Sequence, residues 1–245
     1  MYGVNLSRDL HQMAMQPNPP SKRRARLTRE RVLRAAIALA DRGGIESLTM
    51  RNLGQKLGVE AMALYNHVAN KEAILDGIVD LVFSEIELPS GLDDWAAAMR
   101  LRAISARDAL LRHPWAVGLM QSRLTPGAAT LRHHDSVIGS LTGAGFSIEM
   151  AAHAYSVMDS YIYGFAMQQM TLVYDSTELA GQAAQTFLTQ LPPALYPNLG
   201  AMIREHAMKA GYDYAQEFEF GLDLILTALE KLRNTKPIQR MKGDS

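Results

Sequence analysis

The chain contains no cysteine, and that absence removes disulfide staples, thiolate nucleophiles and cysteine-ligated zinc together. It agrees with a reducing compartment. Long apolar runs are also missing: no uninterrupted stretch approaches the roughly 18–20 residues that cross a bilayer. The N-terminus has neither the basic start nor the apolar core of a secretory signal, so the expected location is the cytoplasm. Catalytic signatures are equally scarce. No GxSxG elbow, P-loop or GxGxxG occurs, and Gly143 and Gly145 mark a turn. His133 and His134 are adjacent, so on a helix they point about 100° apart and cannot share a metal in the HExxH manner. Such a pair is read as solvent-exposed or as part of a core. No catalytic residue, metal or cofactor is expected.

Net charge is absent too, at a formal zero over 245 residues, but the sum conceals an asymmetry. Residues 22–72 carry eleven Lys or Arg against five acids, and the chain from Ala73 onward carries thirteen against nineteen. A segment of about +6 is followed by one of about −6, the pattern of a polyanion-binding head on a body that repels nucleic acid. The length and a 48% apolar composition suffice for a large core in one or two domains. Sustained period-two alternation and internal repeats are both missing, which points to an all-α protein.

The first 21 residues mix polar side chains with PNPP and predict a loose tail. Lys22, Arg23, Arg24 and Arg26 complete a flexible basic arm over residues 1–26, which either contacts phosphates or simply keeps the N-terminus soluble. A helix is predicted over residues 28–42, with Val32, Leu33, Ala36, Ile37, Leu39 and Ala40 inward and Gly43-Gly44 stopping it.

The stretch TMRNLGQKLGVEAMALYNHVANK, residues 49–71, organises the rest. It predicts two short helices hinged at Gly58. The first, residues 49–57, opens on a capping Thr49 and buries Leu53 and Leu57. The second, residues 60–68, buries Leu64 and Val68 and turns Ala61, Met62, Ala63, Tyr65, Asn66 and His67 outward. A short helix exposing aromatic, amide and imidazole groups suits a B-DNA major groove. Lys71 begins a connector helix to Glu87, whose Ile74, Leu75, Ile78, Val79, Leu81, Val82 and Ile86 exceed one stripe, so it is expected to touch both head and body. LPSGL, residues 88–92, is the expected boundary.

From residue 92 to 235 the pattern predicts a bundle of roughly six helices, followed by a flexible tail over residues 236–245. Two helices stand out, over residues 147–172 and 213–234. The second carries Phe218, Leu222, Ile225, Leu226, Leu229 and Leu232, more apolar surface than one inward stripe needs. Both are expected to form a four-helix homodimer interface with their symmetry mates.

Residues 27–87 resemble the TetR family of bacterial repressors, in LTMRNLGQKLGV followed by ALYNHVANKEAIL. WAAAMRLRAISARDALLRHP, LTGAGFSIEMAAHAYSVM and FEFGLDLILTALEKL are similar to the C-terminal domain of the tetracycline-repressor subgroup. The resemblance implies a three-helix head with a helix-turn-helix over residues 27–87 and a larger helical body for ligand binding and dimerisation. It further implies a homodimer that binds a palindromic double-stranded DNA operator and is released by a small-molecule effector. It places Thr49 and Arg51 near phosphates and first bases, the recognition helix on the six outward residues named above, and Lys71 on a phosphate. The chemistry agrees independently: Arg51 can bond a guanine edge or phosphate, Tyr65 and His67 can donate to phosphate, and Asn66 can pair with adenine. Tyr65 can alternatively close the head as a half-buried ring.

The histidine that helps hold magnesium in tetracycline repressors is replaced by Met120, and Arg123 stands where a small hydroxyl residue assists. That substitution argues against a tetracycline–magnesium effector. Candidate pocket residues are His113, Trp115, Met120, Tyr155, Met158, Asp159, Ile162, Tyr163, Met167 and Gln168, an apolar set with a few polar groups. Each methionine can equally be core filling, whereas a buried Asp159 or Gln168 needs a partner. Two rival functions remain, an effector-free architectural DNA binder and a helical enzyme with a DNA-binding head. The first does not need so large an acidic body, and the second does not explain the basic head.

Overall fold

The computed structural model describes residues 26–89, 94–171, 177–209 and 211–233. The arm at Lys22, Arg23 and Arg24, most of LPSGL and the tail from residue 236 lie outside them. Among the described residues the regular structure is entirely helical. In the head, α1 (Arg29–Gly43) begins at Thr28, whose side chain accepts from the Arg31 N–H, and stops at Gly44. Val32, Leu33, Ala36 and Ala40 are buried; Ile37 and Leu39 are only half-buried against the same core.

A 3₁₀ turn (Ile45–Ser47) leads to α2 (Met50–Leu57), which Thr49 caps through the Asn52 N–H at 3.1 Å. Such a cap contributes about 0.5–2 kcal/mol. Gly58 ends α2 at φ 69° and ψ 35°, the left-handed region that a side chain rarely adopts. Leu53 is fully buried as expected, but Leu57 is half-buried, and Gly54 takes the second inner position. The reason is the closeness of the next helix: a Cβ on Gly54 would meet Val59 O at 2.8 Å and the Ala61 N at 3.2 Å. The recognition segment is also shorter than expected. α3 covers only Ala61–Leu64, and Tyr65 to Val68 continue in hydrogen-bonded turns, with the His67 and Val68 N–H groups both bonded to Leu64 O. Leu64 and Val68 are nevertheless both buried.

Helix α4 (Lys71–Ser84), capped by Asn70, ends three residues before the expected Glu87, and Ile86 is buried beyond it. Its N-terminal part, with Ile74, Leu75 and Ile78, belongs to the head core. Val79, Val82 and Phe83 belong to the body core. The body contains α5 (Trp95–Arg112), α6 (Ala116–Ser122), α7 (Ala128–Gly143), α8 (Ile148–Thr171), α9 (Thr177–Gln190), α10 (Pro197–Met202) and α11 (Tyr214–Arg233). A π-turn (Ile203–Ala207) extends α10. That is one α-helix more than roughly six, because α6 and α10, of 7 and 6 residues, are too short to carry a periodic stripe. Ser147 caps α8 through the Met150 N–H, and α8 packs on α11 with Tyr161 stacked on Phe218 at 5.4 Å. No described helix is long and apolar enough to cross a membrane.

Gly54→Ala gains helix propensity of at most about 1 kcal/mol, yet its methyl collides with backbone that cannot rotate away. The expected net result is a loss of unfolding free energy of about 1–2 kcal/mol, read by denaturant melts.

Candidate functional site

The recognition unit presents its polar residues on a rigid support. Leu53, Leu64 and Val68 anchor it from below, while Met62 is 75% and Tyr65 46% exposed. Arg51 and Asn66 are exposed, Ala61, Ala63 and His67 half-buried. Thr49 and Lys71 sit at the starts of α2 and α4, where unpaired helix N–H groups favour anions. All nine expected head residues therefore lie on the helix-turn-helix or at the first turn of the connector.

Polar clamps tie head and body at both ends of α4. Arg123, after α6, bonds Asp76 and Glu72 at 2.6 Å each. At the other end His113 Nδ1 lies 2.7 Å from Asp41 of α1 and its Nε2 3.2 Å from Glu85. Trp115 Nε1 donates to the same Asp41 carboxylate at 2.7 Å. Asp80, midway, accepts from the Thr130 N–H and hydroxyl at 2.8 and 3.0 Å. His113 and Trp115 thus belong to the joint between domains.

Of the remaining expected pocket residues, Met120 lines a cavity and the others divide three ways. Met167 is 55% exposed and Gln168 accepts from the Tyr214 hydroxyl at the surface. Met158 and Ile162 are fully buried core. Asp159, Tyr155 and Tyr163 come together around a group that the expected set omits, Arg102, which is 1% exposed and ion-paired with Asp159. Arg102 Nε also donates to His133 Nε2 at 3.1 Å. The signal for Arg102 was present in spacing: it stands three residues after Met99 and four before Ala106, within the inner face of α5. Burial first, then the Asp159 charge, raises both tyrosines above the usual phenol range. Burial, reinforced by Arg102, pushes His133 down to about 3, so its ring is neutral.

Beside this network a cavity of about 170 Å³ opens between α4, α6 and α7, lined among others by Phe83, Met120, Arg123, Thr130 and His134. His134 stands edge-on to Phe83 at 5.5 Å and to Tyr155 at 5.6 Å.

Comparison with known proteins agrees with this arrangement. The bacterial regulatory proteins, tetR family, profile matches residues 32–78, and the tetracyclin repressor-like, C-terminal domain profile matches residues 88–233. The chain belongs to the TetR family. It is 31% identical to the class C tetracycline repressor protein of Escherichia coli, over 89% of this chain and 98% of that one. It is 30% identical to the HTH-type transcriptional repressor DrrR1 of Streptomyces coeruleorubidus, over 89% and 81%. Among solved structures, the TetR family protein ActR of Streptomyces coelicolor in complex with actinorhodin has a TM-score of 0.70 at 25% identity, covering 86% of this chain and all of that one.

As a TetR-family member the protein is a ligand-responsive, DNA-binding transcriptional regulator and not an enzyme. Magnesium takes hard oxygen ligands; of the cavity's lining, Met120 and Arg123 offer none, the Asp76 carboxylate is already engaged by Arg123, and Thr125, Thr130 and His134 are the other polar side chains.

The neutral His133 has a definite consequence for acid stability. Above about pH 6.5 it is uncharged in both folded and unfolded chains; as pH falls toward 3, only the unfolded chain takes up the proton, and stability declines. Urea melts at pH 7 and pH 5 are expected to show an acid loss about 2 kcal/mol smaller in His133→Gln than in the parent.

Proposed function

We propose that the protein is a cytoplasmic homodimeric repressor that binds a palindromic operator and is released by a small molecule held in its body. The observation that carries it is the division of α4 between two cores: one rigid helix joins the recognition unit to the ligand-binding domain. A shift in the body therefore changes the tilt of the head and the spacing of two paired recognition helices. The relatives support the effector half, since ActR is seen with actinorhodin and a TetR variant of Acinetobacter baumannii with minocycline.

In this reading Arg51, Tyr65, His67, Lys71 and Thr49 position the protein on phosphates and the first bases. Asn66 reads an adenine edge, and Ala61, Met62 and Ala63 offer apolar contact to thymine methyls. Dimerisation uses α8 and α11, which already touch through Tyr161 beside Gly221. Outward on α8 lie Ser156, Val157, Ser160 and Met167, and outward on α11 lie Phe220, Leu224 and Ala228. Val157 at 50%, Phe220 at 64% and Leu224 at 58% exposure are a liability on a monomer and suit a self-complementary two-fold contact.

Operator fragments selected from the source genome should be protected as a palindrome, with affinity falling steeply as salt rises. Arg51→Ala and Tyr65→Ala should each weaken binding by about 1–3 kcal/mol, measured by fluorescence anisotropy, with the dimer intact. Sequence-indifferent or salt-insensitive binding would overturn the assignment. Leu224→Arg should convert the dimer to a monomer by light scattering while the circular dichroism stays helical; an unchanged mass would place the interface elsewhere.

A further inference from the structure

The C-terminal ends of three helices converge on one imidazole where head meets body. Asp41 lies in the last turn of α1, Glu85 is the C-cap of α4, and His113 is the C-cap of α5. Helix C-termini carry partial negative charge, which favours a cation among them. The His113 ring is buried, with Nδ1 2.7 Å from Asp41 and Nε2 3.2 Å from Glu85. A neutral imidazole has one N–H and one lone pair, so it donates to one of these carboxylates and turns its lone pair toward the other. The imidazolium donates to both.

The same two oxygens take other donors, but those donors each reach one helix. Trp115 Nε1, at the start of α6, donates to Asp41 Oδ1 of α1, and Arg112 of α5 donates to Glu85 Oε2 at 2.9 Å. The charged groups that bond to the ring are Asp41 from α1 and Glu85 from α4; α5 adds Arg112 beside Glu85, and the start of α6 brings the uncharged Trp115. Burial pushes the Glu85 carboxyl up, yet the Arg112 bond and the His113 charge outweigh it and hold it below the usual carboxylate value, so Glu85 remains an acceptor. Imidazole is the side chain whose ordinary titration falls between about pH 5 and 8. Two heads on one operator must hold a set spacing, and a head with more freedom against its body has more to lose on binding. We infer that His113 is a proton-operated pin between head and body: as the imidazolium it ties α1 and α4 to the end of α5 at once, and on losing its proton it releases one of them, so that rising pH weakens operator binding. The inference rests on operator binding by paired heads and needs no effector.

The test is an anisotropy titration of the full chain on the selected operator fragment, without effector, at about pH 6 and about pH 8.5. His67 in the recognition unit can titrate over the same range, but it is common to every chain, so parent and variants are compared. His113→Asn keeps a donor for Asp41 and has none for Glu85; the parent should lose about tenfold more affinity on raising the pH than this variant does, the worth of one charge-assisted hydrogen bond. Glu85→Gln offers an amide N–H to the ring's lone pair and closes the joint on a neutral ring. It should share the shallow pH dependence of His113→Asn while binding as tightly as the parent does at the lower pH. Simple loss of packing would weaken both variants alike, and that outcome overturns the pin. Nitrogen-15 spectra of histidine-labelled protein read the proton without DNA: the His113 signals, identified by their absence from His113→Asn, should pass from two N–H groups to one with the same midpoint as the affinity change. A ring that keeps one protonation state across the range, a titration that leaves affinity unchanged, or a Glu85→Gln chain with the parent's pH slope overturns the inference, whatever becomes of the operator assignment.

Discussion

Helix α4 is the constraint on which the rest depends, because its 14 residues belong to two hydrophobic cores at once. Ile74, Leu75 and Ile78 cannot leave the head core, nor Val79, Val82 and Phe83 the body core, without exposing fully buried side chains. Burying an aliphatic or aromatic side chain is worth roughly 1.5–3 kcal/mol, so neither half detaches at thermal energies. The helix therefore moves as a lever or not at all. Its polar clamps lie at both ends and at the centre, through Arg123, Asp80 and the Asp41–His113–Glu85 group. Ion pairs that keep one partner open to water, as Arg123–Glu72 does, contribute little to stability, typically below about 1 kcal/mol each. What they join is α4 to the segment after α6 and to α7, and the α4 end and α1 to the end of α5.

Local chemistry made much of this legible in advance. Thr49 caps the helix it was expected to cap, and Gly58 ends α2 in the left-handed conformation that only glycine takes easily. The double allegiance of α4 was visible as too many apolar residues for one stripe. Site details were less legible where tertiary packing overrides pattern. Gly54 carries no hydrophobic signal, and its burial is set by the approach of the Val59 carbonyl. The shortness of α3 reflects turns closing on Leu64 O, which no periodicity records. His113 and Trp115 were read as pocket residues for their chemistry, but their partner Asp41 is more than seventy residues away and only the fold reveals it. Arg102 is absent from the expected set, although its spacing after Met99 and before Ala106 places it on the inner face of α5.

That last exception is informative because a buried ion pair is a poor way to gain stability. The desolvation of Arg102 and Asp159 offsets most of their attraction, and well-packed apolar residues of the same volume would serve a core at least as well. Removing either partner, by contrast, strands a charge at about 3–5 kcal/mol. A network of this type is thus expensive to break and of little benefit to keep for stability alone. His133 and His134 both touch Phe83, at 5.3 and 5.5 Å between ring centres, and Phe83 lies in the last turn of α4. Any rearrangement of the histidine pair therefore meets the lever directly, with no intervening side chain. Close-packed interiors do not absorb such a displacement by compression. They must repack, and along α4 repacking means a change of tilt that the recognition unit, bound to the same helix by Ile74, Leu75 and Ile78, has to follow.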